Sequence, residues 1–181
     1  VFIPIAEKNG TIVPLGTWVT EESIRTFSEW KKKYACNVIL SLNISAIQYM
    51  REEFIDEILG IIEKYNVNPS ELELEITESV LIGNFKEITE KMCTLRAHGI
   101  RISMDDFGTG YSSLSYLKGL PIDTLKIDKS FVDTSITDEN TRVITESIIF
   151  MAKRLGFETV AEGVETNEQF EYLKSIGCDC I

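Results

Sequence analysis

The sequence predicts an α/β protein, a partial TIM-like (β/α) barrel in which parallel strands are surrounded by outer helices. The first observation is that a helical pattern of apolar residues ends at a glycine three times, at Gly99, Gly156 and Gly177, and that an extended segment then starts at once. A glycine directly after a helix adopts the left-handed conformation that ends it. The second observation is that helical and extended patterns alternate along the chain, which is typical of a parallel sheet with helical crossovers.

The extended patterns predict five strands and the start of a sixth. The strands are expected at residues 38–43, 71–76, 101–105, 124–127 and 158–162, and the sixth from about residue 179. Helices are expected over residues 17–33 and 53–65 and before each of the three glycines. Trp18 and Trp30, in the first of these helices, are expected in the core. His98 is expected to cap a helix end rather than to take part in catalysis.

Composition and charge exclude several classes of protein. Of the 181 residues, 44% are hydrophobic and 26% are charged, which excludes a disordered or collagen-like chain. There are 29 Asp and Glu against 18 Lys and Arg, a net charge of −11, so DNA and RNA are disfavoured as partners. No run approaches the ~18 apolar residues of a membrane span, so no membrane contact is expected from this segment. The cysteines lack zinc or CxxC spacing and are expected to be reduced thiols of a cytoplasmic protein: Cys36, Cys93, Cys178 and Cys180.

Two architectures fit the alternation of helices and strands, an open doubly wound sheet and a barrel. A doubly wound sheet often carries a glycine-rich phosphate loop, and neither GxGxxG nor GxxxxGK[ST] occurs here. A barrel places polar groups at the C-terminal ends of many strands, and this description fits better. A complete barrel takes ~250 residues, and this chain has no initial Met and stops within a helix–strand pattern. We therefore expect a single domain fragment, residues 1–181, that lacks about two βα units.

Each of the five predicted strands ends in a polar side chain. These are Asn43, Glu75, Asp105 with Asp106, Lys126, and Glu162. In a closed barrel the strand ends meet, and converging carboxylates repel one another unless a cation neutralises them. Oxygen donors without Cys or His suit Mg²⁺ or Mn²⁺, and the candidates exceed what one ion usually takes from a protein. Two ions ~4 Å apart are a common arrangement for hydrolysing phosphodiesters, in which Lys126 would orient the attacking water.

Five motifs together give a resemblance to a known family. In order they are Ser41-Leu-Asn-Ile-Ser45, Glu75-Ile-Thr-Glu78, Asp105-Asp-Phe-Gly-Thr-Gly-Tyr-Ser-Ser113, Lys126-Ile-Asp128 and Ala161-Glu-Gly-Val-Glu165. This set resembles the EAL-domain family, bacterial phosphodiesterases of cyclic di-GMP that are built on a modified β/α barrel. The resemblance implies hydrolysis of one 3′–5′ phosphodiester bond of cyclic di-GMP to linear pGpG in bacterial second-messenger signalling, with two Mg²⁺ or Mn²⁺ ions in the complete domain.

The resemblance also implies a role for each matching residue. The first metal would be bound by Asn43, Glu75 and Asp105, and the second by Asp105, Asp106 and Glu162. Lys126 would contact the catalytic water, with Glu162 as the candidate general base and Glu165 as a candidate substrate contact. The loop that couples metal binding to formation of a homodimer would contain Phe107, Gly108, Thr109 and Gly110, with Glu78 as its anchor.

The chain departs from the family pattern at its ends. The Glu-Ala-Leu motif, whose Glu is a metal ligand in the family, does not occur in these residues and is expected before Val1. The chain alone is therefore expected to be inactive. The longer protein is expected to carry sensory or signalling domains and, through other segments, any membrane attachment.

Two other functions stay open. One is a non-catalytic receptor for cyclic di-GMP or a protein-interaction domain, although receptors of this kind usually lose metal ligands that are present here. The other is an unrelated barrel enzyme with one Mg²⁺, such as an enolase-type lyase, which would leave the Asp-Asp-Phe-Gly-Thr-Gly run unexplained.

Overall fold

Two helices precede the first strand in the computed structural model, which describes residues 2–34, 37–82, 84–108 and 117–181. Helix α1 spans Ile3–Lys8 and helix α2 spans Ile12–Lys33. The predicted helix over residues 17–33 ends at the right residue but starts five residues late. Pro14 lies in the first turn of α2. Backbone N–H groups in the first turn have no acceptor within the helix, so a proline there costs no hydrogen bond and the helix can start before it.

The prediction that Trp18 and Trp30 lie in the core is wrong. Their exposed fractions are 63% and 58%. The buried face of α2 carries Ile24 and Phe27 instead. The helical period therefore points both tryptophans away from the packed side.

The chain divides into two units, Val1–Ile102 and Ser103–Ile181. In the first, strand β1 (Leu40–Ile44) pairs in parallel with strand β2 (Leu72–Thr77). Between these strands lie helix α3 (Ala46–Tyr49), helix α4 (Phe54–Tyr65) and a 3₁₀ turn (Pro69–Glu71), and after β2 come a 3₁₀ turn (Glu78–Ile82) and helix α5 (Phe85–Ala97). The short helix α3 was not predicted, because four residues carry little more than one turn of helical period.

Strand β2 is buried on both faces, and the two faces differ. Leu72, Leu74 and Ile76 alternate with Glu73 and Glu75, and all five are buried. Since side chains alternate across a strand, one face of β2 is apolar and the other is acidic. A buried acidic face is the unusual one of the two, because buried carboxylates need partners.

Strand β3 (Arg101–Phe107) leads into the second unit, where β3, β4 (Thr124–Ile127) and β5 (Glu158–Ala161) pair in parallel in that order. Helices α6 (Lys129–Thr134) and α7 (Glu139–Leu155) lie between β4 and β5, and helix α8 (Asn167–Ser175) follows β5. In the described residues, helices lie between β1 and β2, between β2 and β3 and between β4 and β5, as predicted. The predicted sixth strand is present only as a parallel bridge between Val160 and Cys180.

The prediction that helices end at glycines is confirmed in both units. Gly99, Gly156 and Gly177 have φ angles of +92°, +84° and +82°, and each follows a helix end. His98 is the C-cap of α5, and its Nδ1 lies 2.9 Å from the carbonyl oxygen of Thr94, which confirms its predicted role as a cap.

Cys93, Cys178 and Cys180 are free cysteines, and Cys36 lies outside the described residues. Among the helices in the described part of the chain, none combines the length and the apolar composition that spanning a bilayer requires.

Candidate active site

Two of the predicted metal ligands are neighbours in the first unit. Asn43 of β1 and Glu75 of β2 are register partners in the parallel pair, so their side chains project from the same face of adjacent strands. Glu75 is buried and Asn43 is exposed. The structure therefore places Asn43 at the strand position beside the buried Glu75, on the face of the sheet opposite the leucines of β2.

A second acidic residue, Glu73, lies two residues before Glu75 on the same face of β2. Glu73 accepts a hydrogen bond from Ser41 Oγ at 3.3 Å, and its Oε2 lies 3.3 Å from Arg101 Nε. Sequence reasoning did not single out Glu73 or Arg101. The signal was the alternation in Leu-Glu-Leu-Glu, which puts Glu73 and Glu75 on the same face of one strand.

In the second unit, the consecutive residues Asp105 and Asp106 form a β-bulge at the end of β3. Met104 pairs with Leu125 and Phe107 with Ile127, so β3 has one extra residue in this interval. Asp106 has a φ of +54°, and its backbone N–H donates to Asp105 Oδ1 at 3.0 Å. A bulge re-aims side chains that would otherwise point to opposite faces, and aspartate tolerates the left-handed conformation better than most residues.

Lys126 of β4 lies between two of the predicted acidic ligands. Its Nζ is 2.5 Å from Glu162 Oε1 and 3.7 Å from Asp105 Oδ1. The side chains of Lys126 and Asp105 are only 10% and 14% exposed, whereas that of Glu162 is 40% exposed. Glu162 directly follows β5, and its backbone N–H donates to the carbonyl oxygen of Ile127, which holds it beside β4.

The cluster contains more negative charge than Lys126 neutralises. Burial raises the pKa of Asp105, and the charges of Glu162 and Asp106 add to this increase, against the opposing attraction of Lys126. Burial also raises the pKa of Asp106, with contributions from Asp128 and Glu162. Three carboxylates around one ammonium group leave an excess of oxygen donors, which is the chemistry that a hard divalent cation requires.

The donor chemistry therefore fits Mg²⁺ or Mn²⁺, but the carboxylates are arranged around a lysine. Within residues 2–34, 37–82, 84–108 and 117–181, no three His, Cys, Asp or Glu side chains are grouped so that they could hold an ion as they stand. Asp105 and Glu162 are held by Lys126 Nζ instead.

The segments after β4 and β5 are packed against each other. The side chain of Lys129 pairs with Glu165, which lowers the pKa of Glu165 through this hydrogen bond. Its methylenes lie over Gly163, where an added Cβ would come within 2.5 Å of Lys129 Cγ. Asp128 has a structural role, since it caps α6 by accepting from Ser130 N–H at 2.9 Å. Sequence reasoning missed Lys129, because nothing local indicates which side chain lies over a glycine 34 positions further along the chain.

Part of the predicted coupling loop lies in the described residues. Phe107 is buried at the end of β3, and Gly108 has a φ of +96°. Glu78, its predicted anchor, is buried and begins the 3₁₀ turn after β2. Thr109 and Gly110 lie outside the described residues. The anchoring role of Glu78 stays a prediction.

Parallel strands alternating with helices, together with carboxylates, an amide and a lysine at the strand ends, define a β/α protein with an oxygen-rich, acidic site. The chain belongs to the EAL domain family, whose model matches residues 1–181. This confirms the resemblance found in the motifs.

Two curated relatives show how much of a longer protein this chain covers. The oxygen sensor protein DosP of Escherichia coli is 39% identical over 180 residues, which are 99% of this chain and 22% of DosP. The bifunctional diguanylate cyclase/cyclic di-GMP phosphodiesterase MucR of Pseudomonas aeruginosa is 38% identical over 180 residues, 99% of this chain and 26% of MucR. The chain thus spans about a quarter of the length of these relatives.

Solved structures confirm the fold class. The PaMucR phosphodiesterase in complex with c-di-GMP matches with a TM-score of 0.93 and 38% identity, over 98% of this chain and 72% of that chain. BlrP1 of Klebsiella pneumoniae, a calcium and c-di-GMP complex, matches with a TM-score of 0.77 and 27% identity, over 88% and 41% of the two chains. EAL domains have a TIM-barrel-like fold, so the predicted (β/α) class is confirmed.

Proposed function

We propose that the protein is a divalent-metal-dependent phosphodiesterase that hydrolyses cyclic di-GMP to linear pGpG in bacterial second-messenger signalling. The observation that carries this proposal is the cluster in which Lys126 Nζ lies 2.5 Å from Glu162 and 3.7 Å from Asp105, at the ends of three neighbouring strands. Hydrolysis of a phosphodiester needs a base for water and positive charge for the phosphate, and this cluster contains both kinds of group. The c-di-GMP complexes of two related structures support the choice of substrate.

The proposed metal ligands are oxygen atoms of five side chains, which the family resemblance assigns. They are Asn43, Glu75, Asp105, Asp106 and Glu162. We propose two Mg²⁺ or Mn²⁺ ions in the complete domain, because these ions prefer oxygen ligands. The presence of calcium in the BlrP1 complex supports a divalent ion. When bound, such ions supply positive charge and lower the pKa of water.

Two residues of this chain have separate roles in the proposed reaction. Glu162, whose carboxylate is more exposed than that of Asp105, accepts a proton from the attacking water. The water oxygen forms a bond to phosphorus, the bond from phosphorus to O3′ breaks, and O3′ takes up a proton from solvent. Lys126 donates to the attacking water, and its charge stabilises the negative charge that develops on the phosphate oxygens.

We also propose, from the family resemblance, a cytoplasmic homodimer that is joined to further signalling domains in the complete protein. Residues 1–181 would be one domain of it. Glu165 would contact the substrate. The loop residues Phe107, Gly108, Thr109 and Gly110, with Glu78, would couple the metal site to the dimer contact.

The test is turnover of cyclic di-GMP by the complete protein after removal of metal with EDTA and addition of Mn²⁺ or Mg²⁺. Product pGpG is separated and quantified by liquid chromatography. Asp105→Asn keeps the size of the side chain and removes its charge, so turnover should fall by about 100-fold or more. The control is Asp138→Asn, since Asp138 caps helix α7 through Thr141 N–H and asparagine caps equally well.

Undiminished turnover in EDTA, or an Asp105→Asn variant as active as the control, contradicts the proposal. Binding of cyclic di-GMP by wild type without turnover in either metal identifies a receptor instead.

A further inference from the structure

The helix α3 directly follows the strand that carries Asn43. Its N-cap is Ser45, whose hydroxyl accepts from Gln48 N–H at 3.2 Å. A helix of four residues is not stable by itself, because nucleation of a helix is unfavourable and a single turn returns few hydrogen bonds. The position of α3, and with it the end of β1, must therefore be fixed by tertiary contacts.

Lys91 of α5 provides such a contact at the other end of α3. Its Nζ donates to the carbonyl oxygens of Tyr49, Met50 and Arg51 at 3.3, 3.0 and 2.9 Å. Its side chain is only 12% exposed, and Glu87 on the same helix lies 3.7 Å away. The last carbonyls of a helix lack helical donors, so one buried ammonium group satisfies three acceptors at the C-terminal end of α3.

Two further contacts hold α3 between its neighbouring helices. Tyr49 is fully buried, and its hydroxyl donates to the carbonyl oxygen of Ile88 on α5 at 3.0 Å. Gln48 packs so closely on α2 that an added Cβ at Gly16 would come within 2.2 Å of its side chain. Lys91 Nζ also lies 6.0 Å from the centre of the Tyr49 ring, a cation–π distance.

We propose that Lys91 is a positioning residue: by holding α3 on α5, it fixes the end of β1 and so keeps Asn43 beside Glu75. The consequence for metal binding rests on the proposed function, in which the oxygen of Asn43 is a ligand. Without the ammonium group, three backbone carbonyls lose their common donor, and the turn after β1 gains freedom. The ligand oxygen is then less well placed, and affinity for the ion falls while the chemistry at Lys126 and Glu162 is left in place.

The experiment compares Lys91→Met and Lys91→Arg with wild type in the complete protein. The matched control is Lys86→Met on the same helix, because Lys86 is 83% exposed and makes a surface pair with Glu90 at 3.8 Å. Hydrogen exchange of the backbone amides at residues 43–50 is measured in EDTA, and turnover of cyclic di-GMP is measured against Mn²⁺ concentration.

Lys91→Met should exchange about 10-fold faster in this segment and need about 10-fold more Mn²⁺ for half-maximal turnover, with kcat at saturating Mn²⁺ nearly unchanged. Lys91→Arg should restore both values, since arginine keeps the charge and the donors, and Lys86→Met should equal wild type. Thermal unfolding of each variant reports whether it is folded, and Tyr49→Phe, which removes only one hydrogen bond, gives a milder test of the same contact.

Wild-type exchange rates, or an unchanged Mn²⁺ requirement, in folded Lys91→Met overturn this inference and leave the proposed function intact. A lower melting temperature with the same Mn²⁺ requirement also overturns it, because Lys91 would then be only structural. Wild-type turnover that needs no metal overturns the proposed function, and the exchange rates of residues 43–50 still decide whether Lys91 fixes the end of β1.

Discussion

Asp106 is held in a backbone conformation that is costly for aspartate, and two substitutions separate this cost from the cost of its charge. Its φ is +54°, in the bulge that ends β3. A residue with a Cβ loses roughly 1–2 kcal/mol there, whereas glycine does not. Glycine is also more flexible in the unfolded chain, and this reduces its stability advantage over alanine by about 0.5–1 kcal/mol. Asp106→Gly should therefore be more stable than Asp106→Ala by about 1 kcal/mol, a difference of about 2–4 °C in Tm for a domain of this size.

The charge of Asp106 adds a contribution that depends on pH. Burial, then the charges of Asp128 and Glu162, raise the pKa of Asp106 above its ordinary value. A carboxyl whose pKa is higher in the folded than in the unfolded protein destabilises the fold when it ionises. This destabilisation is absent below the unfolded pKa and complete above the folded pKa. Both variants should therefore gain stability relative to wild type as the pH rises above about 4, the ordinary pKa of aspartate, while the difference between the two variants stays constant.

The assay is thermal unfolding of the complete protein in EDTA, followed at several pH values for wild type and both variants. If Asp106→Ala is as stable as Asp106→Gly at every pH, the backbone argument is refuted. If the difference in Tm between wild type and the variants does not change with pH, the argument from charge is refuted. If Asp106 is a metal ligand, added Mn²⁺ should raise the Tm of wild type more than that of either variant, because a ligand that binds only the folded state stabilises it.

Three further outcomes are expected. Lys126→Met removes the ammonium group between two carboxylates, so kcat at saturating Mn²⁺ should fall by about 10²–10³, and a kcat close to wild type would contradict its role. Gly163→Ala should destabilise the protein by roughly 1–2 kcal/mol, because the φ of Gly163 is +71° and the added Cβ meets the stem of Lys129; an unchanged Tm would show that the segment shifts freely. Burial raises the pKa of Cys178, so iodoacetamide near neutral pH should modify the exposed Cys93 faster than Cys178, as mass spectrometry of digested protein would show; faster labelling of Cys178 would be inconsistent with its burial.

The elements that could be predicted are those with a local cause. Gly99, Gly156 and Gly177 end helices through their own backbone freedom, and that information lies within a few residues of each position. Strand β4 was predicted to the residue, and β5 to within one residue, because short apolar runs bounded by turns are also local. The order of helices and strands follows from the same signals.

The features that could not be predicted depend on partners far away in the sequence. The face that α2 buries is set by what packs on it, so the apolar character of Trp18 and Trp30 did not decide their placement. Lys91 satisfies carbonyls 40 to 42 positions earlier in the chain, and neither end of that contact has a distinctive local pattern. The motifs located the acidic residues of the site, but the bulge that turns Asp106 out of the regular alternation is visible only in the register with β4.

The site concentrates negative charge in a chain that is already acidic, and the cost of this arrangement argues that a cation takes part in its function. The chain carries a net charge of −11, so it repels an anionic dinucleotide at long range. At short range, the described residues around Lys126 place three carboxylates near one ammonium group, and burial raises the pKa of both Asp105 and Asp106. A fold selected for stability alone would replace such groups, since buried charges of like sign cost free energy and a strained aspartate costs more. A divalent cation would offset the electrostatic part of this cost, because it would neutralise the carboxylates, relieve their repulsion and present positive charge to phosphate.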